Sequence, residues 1–271
     1  MQIDLIRSLW GVDAPWEIVF PTYAAQGYKG IEWGVSLDPN EQKRLTALLA
    51  EYELDFVAQV FTNGPDLASH IASGIQQIDA AIDCGARQIT LHGWRDGSSF
   101  DDGCGFIEAM LAVAQHHNIP IAHETHRSRL FFNPWNTVAY LSRYPELMLC
   151  ADYSHWVVVA ERLLPDAEAL MQFCAHHVFH LHARVGHAQG PQVGDPRLPR
   201  FAQEVDAHEH WWRMIYQAKQ QQGATALTVT PEYGPPPYQA TDPVSNLPFV
   251  PLTDLVDWQA QRIRELFSAS M

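Results

Sequence analysis

The most constraining feature of this chain is an alternation repeated along all 271 residues: short apolar runs of strand length, each followed by a longer segment with helical periodicity. Runs rich in Val, Ile, Leu and Ala between turn residues read as buried strands, and strict alternation with helices implies a parallel sheet. The pattern predicts strands at 2–9, 30–33, 55–61, 87–92, within 119–126, and at 147–152, 178–184 and 226–232. It predicts helices near 15–26, 38–52, 66–84, 106–117, 134–143, 161–175, 201–222 and 252–267. Eight such units is the count that closes an α/β (β/α)8 TIM barrel, and a chain of 30.6 kDa suits one such domain over 1–271. An open doubly wound sheet fits less well, because the turn after the first strand, Ser8 to Gly11, has no GxGxxG.

The strand ends carry unusual side chains. Ile119 to His126 reads IPIAHETH, an apolar strand that stops at Glu124 between two imidazoles. Asp152 closes the run LMLCAD, His180 and His182 lie in VFHLHAR, and Glu232 closes ALTVTPE. Glu32 and His92 also fall at strand ends. In such barrels the C-terminal strand ends and the loops after them form the active site. Three carboxylates and an imidazole make a mixed, fairly hard ligand set, suited to one divalent ion such as Mn²⁺, Mg²⁺, Co²⁺ or Zn²⁺. Three converging negative charges also need a cation or protons to compensate them.

Each residue has a plainer reading beside this one. Asp152 taken alone suits a helix cap as well as a ligand. His180 and His182 share a strand face, and His182, nearer the C-terminal mouth, is the expected ligand; His180 is read as a barrel neighbour. By the same alternation His123 points away from Glu124 and is structural, while His126 lies in the loop and can touch substrate. Arg127, Arg129 and Arg184 either clamp an anionic group or pair with surface acids. Trp10, Trp33, Trp94 and Trp156 follow strand ends, where a ring stacks on a sugar or packs in the core.

Charge narrows the partners. Lys and Arg total 17 against 31 Asp and Glu, a net charge of −14, which disfavours nucleic acid and anionic membrane surfaces and leaves small neutral or locally clamped substrates. Cys84, Cys104, Cys150 and Cys174 are widely spaced without CxxC pairing and read as reduced packing residues. With no signal-like or membrane-spanning apolar run, the expected location is cytoplasmic. The long loops after the seventh and eighth strands are expected to shape the substrate pocket. Trp211, Trp212 and Tyr216 fall at helical spacing, where they pack on the barrel or present a face for a homo-oligomer.

The segments GYKGIEWG, HETH, ADYSHW, HLHAR and PEYG together resemble the xylose isomerase-like TIM barrels, over nearly the whole chain. That superfamily includes ketose 3-epimerases, hydroxypyruvate isomerase, inosose dehydratase and apurinic endonucleases of the endonuclease IV type. The resemblance implies that Glu124, Asp152, His182 and Glu232 bind the metal and that Glu124 and Glu232 are the acid/base pair. His155, three residues after Asp152, then matches a substrate-contacting His. The epimerases carry an Arg six residues after the metal-binding His; here that position is Ala188, and Arg184 is the expected substitute. His92, His126 and Glu32 complete the expected substrate contacts. The implied activity is a metal-dependent isomerase or epimerase moving a proton beside a carbonyl of a sugar or related hydroxycarbonyl compound, through an enediolate. The alternatives are an apurinic endonuclease with additional zinc ligands, an inosose-type dehydratase, or a barrel that binds without turnover.

Overall fold

The computed structural model describes residues 1–268. Eight parallel strands close into a barrel in sequence order, with the last paired to the first. They are β1 Gln2–Ser8, β2 Gly30–Gly34, β3 Asp55–Phe61, β4 Gln88–His92, β5 Ile121–Glu124, β6 Met148–Ala151, β7 Val178–Ala183 and β8 Ala226–Pro231. The helices around them are α1 Trp16–Ala25, α2 Pro39–Glu51, α3 Leu67–Asp83, α4 Phe100–His117, α5 Pro134–Arg143, α6 Tyr153–Ala160, α7 Glu168–Ala175, α8 Ala202–Gln221 and α9 Leu252–Ser268. The expected barrel is therefore present, with every expected strand.

Side-chain alternation divides each strand between two environments. Ile31, Phe56, Ile89 and Leu149 are buried in the layer between barrel and helices, together with Phe20, Phe106, Trp212 and Ile215. Trp211 and Tyr216 are buried there as well, so the α8 aromatics pack on the barrel. All four cysteines are free and buried. The lumen, by contrast, is largely polar. Gln88 on β4 donates to Thr228 Oγ1 on β8 across it at 3.3 Å, and His180 Nδ1 lies 2.8 Å from that same hydroxyl. A polar lumen is tolerable only because its groups find partners there, since an unpaired buried polar group costs about 1–3 kcal/mol.

Two helices depart from the pattern predicted above. α4 begins six residues before the expected Phe106, because Ser99 caps it by accepting from the Asp102 amide at 3.1 Å, and the Gly103 inside it is used for packing. A Cβ at Gly103 would lie 2.1 Å from the Tyr140 hydroxyl, so α4 and α5 approach closely there. Where one helix was expected over 161–175 there are two, α6 lying wholly before that span and α7 filling only its second half. α6 starts directly after Asp152, Glu161 and Leu164 turn left-handed with φ of 52° and 55°, and α7 follows Pro165, which cannot continue a helix from α6.

The loops after β7 and β8 are tied together. Gln192, buried, donates from Nε2 to the Gly234 carbonyl at 3.1 Å and accepts the Gly234 amide at 2.7 Å. Gly234 has no room for a side chain, since its Cβ would sit 2.2 Å from Cη2 of Trp10. Among the described residues no helix is long and apolar enough to cross a membrane.

Candidate active site

At the C-terminal mouth, four neighbouring strands deliver Glu124, Asp152, His182 and Glu232, all buried. His182 sits at the centre. Its Nδ1 lies 3.0 Å from Glu232 Oε2 and 3.7 Å from Glu124 Oε1. Its Nε2 lies 2.9 and 3.0 Å from the two oxygens of Glu32. Glu32 also accepts from the Thr90 hydroxyl at 2.7 Å and the Thr230 hydroxyl at 2.5 Å, and His180 Nε2 is 3.3 Å away. An ionised carboxylate only accepts, so Nε2 of His182 carries a hydrogen and Nδ1 faces the acids.

Glu32 was expected to touch substrate, and its geometry corrects that expectation. It is wholly buried beneath His182 and is absent from the cavity wall. Its place is that of a positioning partner for the imidazole above it, the arrangement that orients ligand histidines in metal sites. His180 is the barrel neighbour expected of it, held by Thr228 below and Thr230 beside it.

Asp152 has two duties. One oxygen caps α6, accepting from the Ser154 amide at 3.1 Å and the Ser154 hydroxyl at 2.5 Å; the other takes the Arg184 guanidinium. Arg184 is almost fully buried, stands 3.5 Å from Glu232 Oε1 and also reaches His155 Nε2. The expected Arg184 is thus in the site, but it serves the carboxylates of this chain. On the other flank, His92 Nε2 lies 2.7 Å from Glu124 Oε2, and its ring stacks on Phe61 with centroids 4.2 Å apart. The His126 and His155 rings are 3.7 Å apart.

Charge balance follows from these contacts. Burial would raise the Glu124 carboxyl, but His92 and His182 outweigh it and hold the group well below the usual carboxylate range. Glu32 behaves alike: burial is outweighed by His182 and His180. Burial pushes Asp152 up to about 7, with Arg184 opposing and Glu232 and Glu124 assisting. Burial lowers His182, yet Cys150 and the three glutamates around it raise it well above the ordinary imidazole value. The carboxylates around it therefore favour positive charge at this imidazole.

A divalent cation fits the same place. Asp152, His182 and Glu232 each offer a ligand atom within 4.8 Å of the others, and Glu124 forms a second such group with Asp152 and His155. Glu124 Oε2, His182 Nδ1 and Glu232 Oε2 are buried in close ion-pair contacts, 2.7 Å to His92 for the first and 3.0 Å between the other two, without well-aligned hydrogen bonds, which is unfavourable unless a cation or proton serves them. Carboxylates that draw a proton onto Nδ1 also favour a metal ion there, which would release that proton.

The site opens into a cavity of about 640 Å³. Glu124, Glu232, His92, His126 and Arg184 line it, whereas Asp152, His155 and His182 lie behind that surface. Trp10 and Trp33 are on its wall, while Trp94 and Trp156 belong to the core, Trp156 donating to the Phe131 carbonyl at 2.9 Å. His123 packs between Phe106 and Phe131, away from the site. The wall also includes Glu41, Gln59, Phe61 and Tyr238, which the sequence reading did not single out. Of these only Gln59, a lone amide in the apolar strand DFVAQVF, carried a signal.

A family model described as xylose isomerase-like TIM barrel matches residues 20–234. The probable 3-DHS dehydratase of Bacillus anthracis is similar in structure, with a TM-score of 0.61, 12% identity and coverage of 97% of this chain and 99% of that one. The 3-keto-D-glucoside 4-epimerase of E. coli gives a TM-score of 0.61 at 12% identity, covering 96% of this chain and 100% of its own. A Sinorhizobium meliloti protein gives 0.60 at 14% identity, with 97% and 98% covered. No curated protein matches the chain significantly in sequence. At these identities the structural likeness establishes the fold, and the family match over most of the chain establishes more: this chain belongs to the xylose isomerase-like TIM barrel family.

Proposed function

We propose that the chain is a divalent-cation-dependent isomerase or epimerase, acting on a sugar or a similar hydroxycarbonyl compound by moving a proton at the carbon beside the carbonyl. The observation that carries this reading is the pair Glu124 and Glu232. Both border the cavity, both flank His182, and each turns a buried oxygen toward an imidazole nitrogen, Glu124 Oε2 toward His92 Nε2 at 2.7 Å and Glu232 Oε2 toward His182 Nδ1 at 3.0 Å.

In this proposal Glu124, Asp152, His182 and Glu232 hold the cation, Asp152 by giving up its contact with Arg184. When bound, the ion would polarise the substrate carbonyl and the adjacent hydroxyl. Glu124, kept ionised by His92 and His182, takes the proton from carbon, leaving an enediolate. Glu232, on the other side of His182, takes a proton from water in the cavity and gives it to the opposite face of that carbon or to its neighbour, and Glu124 releases the abstracted proton to that water. His92 steadies Glu124, His126 lines the approach, and Arg184 moves toward substrate oxygens once released by Asp152. The mixed O/N ligand set accommodates Mn²⁺, Mg²⁺, Co²⁺ or Zn²⁺. The E. coli epimerase and the Bacillus dehydratase, acting on a keto-glucoside and on 3-DHS, are compatible chemistries on the same fold.

A second reading, a nuclease with several ions, draws support from the neighbouring group His92, Glu124 and His126, while the charge of −14 opposes it. Metal analysis separates the two: one ion per chain supports the isomerase or epimerase, three the nuclease. The direct test incubates ketoses, keto acids and inososes with the Mn²⁺-loaded protein in D₂O. Deuterium is expected to enter carbon, with Glu124→Gln and Glu232→Gln slowing it by about 10²–10⁴. No deuterium entry from any panel member, or full rates in both variants, overturns the proposal.

A further inference from the structure

The cation-binding candidates occupy one side of the barrel, from β5 to β8, but the cavity does not stop there. It continues over the ends of β2 and β3, where Trp33, Gln59 and Phe61 line it together with Glu41 from the first turn of α2. None of the residues assigned above to proton transfer lies in that half.

Size gives the first argument. A free hexose has twelve heavy atoms, and even at the roughly 30 Å³ that one water occupies per heavy atom it needs no more than about 360 Å³. The cavity holds about 640 Å³, so a second ring can be accommodated.

Chemistry gives the second. Phe61 is 41% exposed although its ring is braced on His92, and the half-buried Trp33 lines the same wall. Flat aromatic faces held open to a cavity suit the apolar face of a ring. Among the described residues, neither the Gln59 nor the Glu41 side chain makes a hydrogen bond, so both are free to take hydroxyls. This half of the wall carries no Lys or Arg, and Arg184 lies at the other end, beside the reacting ring. A phosphate or carboxylate on a second ring there would meet Glu41 and no basic side chain.

We infer that the site takes a neutral two-ring substrate: an O-glycoside whose reacting ring lies at Glu124 and Glu232, and whose uncharged second ring lies on Trp33 and Phe61 with its polar groups at Gln59 and Glu41. This rests on the proton-transfer proposal only for which end holds the reacting ring.

The test is binding, followed by the tryptophan fluorescence of the full-length protein. It is titrated with glucose, glucose 6-phosphate, the phenyl glucosides of both anomers, cellobiose and maltose. At least one two-ring compound is expected to bind about tenfold or more tighter than glucose, equivalent to about 1.4 kcal/mol, and glucose 6-phosphate no tighter than glucose. Phe61→Ala, at an exposed position, is expected to shrink that ratio to below about threefold with the circular dichroism spectrum unchanged. Two-ring compounds binding no better than glucose, none binding at all, or the phosphate binding tightest overturns the inference. Deuterium exchange without a glycoside preference would remove this inference alone, and glycoside preference without exchange would remove only the proposed proton transfer.

Discussion

Replacing Glu32 with Gln isolates the contribution of a residue that never touches the cavity. Glu32 spans His182 Nε2 with both oxygens, at 2.9 and 3.0 Å, and also accepts from the Thr90 and Thr230 hydroxyls. An amide in its place keeps one acceptor and turns the other into a donor. That donor meets Thr230 and His182, which have been donating into the same spot, so at least one hydrogen bond is lost along with the charge that strengthens the rest. Hydrogen bonds to charged groups contribute about 1.5–3 kcal/mol, and loss of a ligand's supporting partner typically weakens metal binding about 10–100-fold. We expect Glu32→Gln to weaken Mn²⁺ binding about thirtyfold, near 2 kcal/mol, by isothermal titration calorimetry with the fold checked by circular dichroism. A folded variant within about threefold of wild type would mean that Glu32 does not set the orientation of Nδ1.

Two further perturbations probe other links. His208 is buried, donating from Nδ1 to the Glu204 carbonyl at 2.8 Å and accepting the Gly186 amide at Nε2 at 3.2 Å, and burial pushes it down to about 4. The unfolded chain takes up this proton near pH 6.5 while the folded one resists it. Stability should therefore fall as pH drops from about 6.5 toward 4, by up to about 3 kcal/mol; urea unfolding of wild type and His208→Gln at pH 7 and 4.5 checks it, and equal losses in both would remove the assignment. Gly234→Ala forces a methyl group into Trp10, with 2.2 Å available. It should cost about 1–3 kcal/mol in denaturant unfolding and weaken glycoside binding, and an unchanged midpoint with unchanged binding would count against that contact.

Much of this arrangement is visible in the linear pattern, and the residues that are not have definite physical reasons. The period of two sets His180 and His182 on one face and turns His123 outward, while His182's place nearer the strand end sets it at the mouth, and the contacts agree. Glu32 was misassigned because alternation gives the face of a strand and not its depth. Depth depends on stagger between strands, and here it sets Glu32 among Thr230, His180 and the underside of His182, below the cavity wall. α6 escaped notice because YSHWVVVA is apolar around much of its circumference, as a buried helix is, and shows little periodicity. Asp152 satisfies the cap reading in full, and its ligand role depends on Arg184 giving way. Tyr238 and Glu41 reach the cavity from a loop and a helix start, where no period marks a direction.

The double hydrogen bond between the Gln192 amide and the Gly234 backbone makes one body of two segments that belong to different β/α units. Because Gly234 is also pressed against Trp10, a third unit is fastened to the pair. Neither loop can swing as a separate flap while those bonds hold, so this rim behaves as a fixed jamb, and a change made in one segment will be registered in the other two.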